Sequence, residues 1–83
     1  MCRNITTLRG LEPAATAEEI EAAARQFVRK ISGINKPSVV AAERFEQAVA
    51  EIAAISTSLL EDLPARRNPP PTLPPMRRLA AKA

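Results

Sequence analysis

The chain has no histidine, tyrosine or tryptophan, and it has one cysteine, two glycines and two phenylalanines in 83 residues. Each shortage excludes something. Without histidine, the commonest general acid–base and zinc-ligand arrangements are missing. A single cysteine, Cys2, cannot close an internal disulfide. Two glycines are too few for a phosphate-cradling loop of the Walker or Rossmann kind. Few aromatic rings leave no stacking platform for single-stranded nucleic acid. No run approaches the roughly 18 apolar residues of a membrane span. The start of the chain lacks the apolar stretch of a secretory signal. These shortages point to a cytoplasmic chain with no recognisable catalytic constellation and no cofactor, read as not an enzyme.

What remains is aliphatic and basic. Hydrophobic residues make up 46% of the chain, and apart from the two phenylalanines they are mainly alanine, isoleucine, leucine and valine. Alanine buries little area, so the core is thin, and at about 60% surface burial a domain of this size is marginal alone. The charge is segregated. Residues 39–63 carry Glu43, Glu46, Glu51, Glu61 and Asp62 against Arg44, a net of −4. Residues 64–83 carry Arg66, Arg67, Arg77, Arg78 and Lys82 with no acid, a net of +5. Opposite charge on two regions of one chain favours contact between them, or between copies, at low salt.

The pattern predicts an all-α fold, an antiparallel helical hairpin. Thr16-Ala17-Glu18-Glu19 has the capping-box spacing. Ile20, Ala24, Phe27 and Ile31 then recur at helical spacing, widened by Ala23 and Val28. Acids occupy the first turn and bases the last, Glu21 and Arg25 stand one turn apart, and Gly33 suits the C-terminal cap. These features predict a first helix over 17–32. Ser38 is a good N-cap after Pro37. From there Ala41, Phe45, Val49, Ile52, Ser56, Leu59 and Leu63 run at spacings of three and four until Pro64, predicting a second helix over 39–63. Phe27 and Phe45 are the expected core anchors.

The second helix is longer than the first can cover. Its end, around Ile55, Leu59, Leu60 and Leu63, needs another partner. Ile5, Leu8 and Leu11 supply a short N-terminal turn or flap, and a second copy closing a four-helix bundle supplies the rest. Those four residues are the protein-contact candidates, with a homodimer or another protein as the expected partner. Six of the eight prolines fall within residues 64–75. The division is thus a helical domain over 1–63 and a basic, proline-rich tail over 64–83, expected to be disordered and dispensable for folding. The tail's Pro-x-x-Pro spacing beside Arg77 also suits a ligand of aromatic grooves, although a solubilising tether is the simpler reading.

Two chemical candidates stand beside the interaction reading. The first is the connection between helices, where Arg29, Lys30 and Lys36 gather near Ser38 and the free amides of a helix start. That arrangement suits an anion, whether a phosphate metabolite or nucleic acid. The bland reading is ordinary capping. The second is Cys2, which removal of Met1 would leave as an N-terminal cysteine with amine and thiol together, able to hold a soft metal or attack a carbonyl. The bland reading is an inert thiol. Nucleic acid is a weak candidate partner, because the helix that would enter a groove is acidic and lacks a base-reading face. Glu43, Glu46 and Glu51 read as solvation of an exposed face.

The opening Met1-Cys2-Arg3-Asn4-Ile5 and the segment Pro13-Ala14-Ala15-Thr16-Ala17-Glu18-Glu19-Ile20 carry a resemblance, as do Gln26-Phe27-Val28-Arg29-Lys30-Ile31-Ser32-Gly33, Lys36-Pro37-Ser38 and Phe45-Glu46-Gln47-Ala48-Val49. The chain resembles a small bacterial family, catalogued as a domain of unknown function, whose members begin Met-Cys-Arg-Asn-Ile. The resemblance covers about residues 1–63 and stops at the tail. It implies a bacterial, cytosolic, mostly helical protein and supplies no activity, substrate or cofactor.

Overall fold

The structure is a computed structural model and describes residues 5–64, 68, 70–75 and 77. Among the described residues two helices make the fold, α1 (Ala17–Ser32) and α2 (Val39–Asp62), packed against each other as a hairpin. The start of α1 follows from its capping box: the Thr16 hydroxyl accepts from the Glu19 N–H at 3.1 Å, and the Glu19 carboxylate accepts from the Thr16 N–H at 2.9 Å. At the other end Gly33 adopts φ 71°, a left-handed geometry that glycine enters without Cβ strain, and its N–H donates to the Arg29 carbonyl at 2.9 Å. The Ser38 hydroxyl caps α2 by accepting from the Ala41 N–H at 3.3 Å. Leu63 falls outside α2, one residue short of expectation. It is extended at ψ 147° because it precedes Pro64, whose ring disfavours helical geometry there.

The core is small and lies between the helices. Ala24 and Val28 of α1 meet Phe45 and Val49 of α2, with Ile34, Ala48, Ile52 and Ala53 packed against them. Phe45 is an anchor as expected, but Phe27 is not: it is 44% exposed, and Ile31 is 69% exposed. The apolar stripe of α1 is wider than one partner helix covers. The buried positions advance by four through Ile20, Ala24 and Val28, so α2 sits on the side where small Ala24 allows close approach. Phe27 and Ile31 are left on the flank.

At about 1.5 Å per residue α1 spans roughly 24 Å and α2 roughly 36 Å. The N-terminal segment makes up part of the difference. Residues 5–16 form no helix; they turn at Gly10, with φ 88°, and bury Leu11 to 4% exposure. This is the flap alternative of the sequence reading. The Arg9 Nε–H donates to the Pro64 carbonyl at 3.0 Å and pins the segment to the end of α2. At its described positions the tail lies against the rest of the chain. Pro70 and Pro74 are buried, and the Arg77 Nε–H donates to Glu19 Oε2 at 2.7 Å.

Candidate interaction surface

The two sides of the seam between α1 and α2 differ in chemistry. On one side Arg25 reaches across. Its guanidinium donates to both oxygens of Glu46, at 2.9 Å for Nη2 to Oε1, and to Glu21 one turn back at 3.1 Å. Glu46 is therefore an inter-helix partner rather than simple solvation. The Arg25 hydrogen bonds hold its carboxyl below the usual carboxylate range, and the same bonds raise the Arg25 pKa further above its ordinary value.

The other side is apolar. Ile5, Ala23, Phe27, Ile52 and Ser56 line a shallow groove of about 230 Å³ there. The Ser56 hydroxyl donates to the Ile52 carbonyl at 2.7 Å, so even this polar group is satisfied within α2. Ile31 continues the flank one turn beyond Phe27. Ile55 and Leu59 continue it three residues beyond Ile52 and Ser56. Ile55 is 71% and Leu59 56% exposed. Of the four contact candidates, Ile55 and Leu59 thus stand open. Leu60 is half-buried and lines a cleft of about 410 Å³ under the N-terminal segment with Leu8, Leu11 and Ile20, and Leu63 lines the same cleft while staying 38% exposed. Sequence reasoning missed Phe27 and Ile31 as surface residues; their helical spacing with the core positions hid them.

The anion candidates do not form one cluster. Arg29 is half-buried and lines a polar hollow with Glu18, Glu21 and Arg25, while Lys30 and Lys36 are exposed on and beyond the last turn of α1. The Ser38 hydroxyl is occupied by its cap. Cys2 lies outside the described residues. Among the described residues no group of three His, Cys, Asp or Glu side chains is placed to hold a metal ion, and no helix is long and apolar enough to cross a membrane.

The start of α1 carries a second polar site. Glu19 is 5% exposed, and its carboxylate is held by Arg77 and by the Thr16 N–H. Burial pushes its pKa up, but the Arg77 and Thr16 hydrogen bonds outweigh burial and hold it below the usual range. Neither residue was singled out for this role in the sequence, because they stand 58 positions apart.

No curated protein and no solved structure matches the chain. A family match does exist, and it runs through the proline-rich tail, beyond the point at residue 63 where the sequence resemblance ended. Residues 1–83 match the family described as "Uncharacterized conserved protein (DUF2277)", and the chain belongs to that family.

Proposed function

We propose that this protein is a helical interaction module that pairs with a second copy of itself through the apolar side of its seam. The observation that carries the reading is the strip formed by Phe27, Ile31, Ile55 and Leu59, between 44% and 71% exposed, beside a thin core. Four large side chains left open on one flank lie against the rule that helices bury their apolar stripe. Two hairpins related by a two-fold axis bury each other's flanks and complete a four-helix bundle, the usual solution for a hairpin of this size. A second copy offers the same apolar strip, so the chemistry of the two faces matches. The opposite seam, bridged by Arg25, stays in water. A cytoplasmic, non-enzymatic role belongs to the same proposal.

Sedimentation of the full chain tests it. The wild type is expected to sediment as a dimer at micromolar concentration. A chain carrying Ile55→Glu and Leu59→Glu is expected to run as a folded monomer with its helical circular dichroism intact. A wild type that stays monomeric at high micromolar concentration overturns the proposal, as does a dimer indifferent to both substitutions.

A further inference from the structure

The tail meets the hairpin in a different way from the helices meeting each other. The core cluster and the residues packed against it come from α1, α2 and the connection between them, and no described tail residue belongs to it. The tail supplies a spaced set instead: Pro70 and Pro74 buried four apart, and Arg77 three further on. Proline presets the backbone, so a proline-rich segment loses little conformational freedom on docking. The Arg77 N–H donates to the Pro74 carbonyl at 3.0 Å, a tight turn that swings the guanidinium onto the body. There Nε donates to Glu19 Oε2 at 2.7 Å and Nη2 to Glu19 Oε1 at 3.0 Å, with a further bond from Nη2 to the Ala14 carbonyl at 3.0 Å. Thr72 shares a hollow with Ile5, Thr6 and Thr7.

The receiving side is organised locally. Glu19 stands in the first turn of α1, and the capping box orients its carboxylate through the bond it accepts from the Thr16 N–H. A carboxylate fixed in this way, and largely withdrawn from water, is suited to a planar, bidentate cation. The Thr6 hydroxyl, in the same hollow as Thr72, is buried without a hydrogen-bond partner among the described residues.

We propose that the N-terminal segment and the start of α1 form a binding site for peptides of the pattern Pro-x-x-x-Pro-x-x-Arg, and that this chain's own tail is the resident ligand. The site reads two prolines and one guanidinium. It selects arginine over lysine because two parallel hydrogen bonds, plus a third to the Ala14 carbonyl, need the guanidinium fork. A short tether holds the tail at a local concentration on the order of millimolar, so free peptide of equal affinity enters only where the tail has let go. The tail is an exchangeable plug. This site uses none of the strip residues Phe27, Ile31, Ile55 and Leu59, so it stands or falls separately from self-pairing.

The probe is a synthetic peptide of residues 68–77, added to full-length, 15N-labelled protein. With Arg77→Ala, the peptide is expected to shift the amide resonances of residues 5–20. The same peptide is expected to bind wild type about tenfold more weakly, because the tethered tail competes. A peptide carrying Arg77→Lys is expected to bind the Arg77→Ala chain more weakly than the parent peptide. Unmoved amides in a folded Arg77→Ala chain at millimolar peptide overturn the site, and equal binding to both chains overturns the plug. Should Arg77→Ala not fold, the wild type decides. Its Arg77 Nε–H resonance is expected to move with a carboxyl titration that Glu19→Gln abolishes, and an Nε–H indifferent to both overturns the proposal.

Discussion

Phe45 and Phe27 carry the same ring into different surroundings. Phe45 is 6% exposed and touches the cluster of Ala24, Val28 and Val49, whereas Phe27 is 44% exposed on the flank. Replacing Phe45 by Ala is expected to cost about 3–5 kcal/mol, lost transfer energy plus a cavity. That is comparable to the whole stability of a small domain. Phe27→Ala in the monomer is expected to cost about 1 kcal/mol, since much of the ring is already in water. Urea midpoints at low protein concentration separate the two, and equal losses would show that the flank is packed. Spacing marked both rings as central. It did not show which side of a wide stripe the neighbouring helix takes, because that depends on where alanine lets two backbones approach. Thr16, Gly33 and Ser38 were legible for the opposite reason: each cap acts within four residues of its own position.

For the helices as elements, the seam is held by packing at its centre and by charge at one edge. Arg25 is the edge. Its pair with Glu21 follows from one-turn spacing and was readable; its pair with Glu46, 21 residues away, depends on how α1 and α2 align. Glu46 and Glu21 are both more than half exposed, so water and salt screen the group. Arg25→Gln is therefore expected to lower stability by under about 1 kcal/mol at low salt, and by nothing measurable near 1 M salt. Melts of both chains across a salt series check this. A loss that persists at high salt would mean that the Arg25 stem contributes packing rather than charge. The contact candidates on α2 were partly legible in the same way. The helix length required a cover for its far end, but not which of Ile55, Leu59, Leu60 and Leu63 the N-terminal segment would take.

For the molecule as a whole, the ion pair of Arg77 with the buried Glu19 is, among the described residues, where the charge of the basic tail meets the helical part. Composition gave the charge segregation; the pairing itself was beyond it, because proline content says what a segment cannot form and not where it docks. Ending the chain at Pro64 removes no residue of the core cluster, so the helical circular dichroism is expected to persist. The midpoint is expected to fall. Hydrogen bonds to a charged group contribute about 1.5–3 kcal/mol, or roughly 6–24 °C for a domain of this size. The pH dependence identifies the source. Glu19 has a lowered pKa in the folded chain, so its contribution is complete above the unfolded glutamate value, near pH 4.3. It is lost as pH falls through the lower folded value. The gap between full-length and shortened chains is therefore expected to be wide at pH 7 and to narrow below about pH 4, with the Thr16 bond leaving a smaller acid sensitivity in both. Thermal melts of the two chains at pH 7, 4.5 and 3 measure it. A gap that ignores pH would move the tail's contribution from Arg77 to the buried prolines, and no gap at all would mean that the tail stabilises nothing.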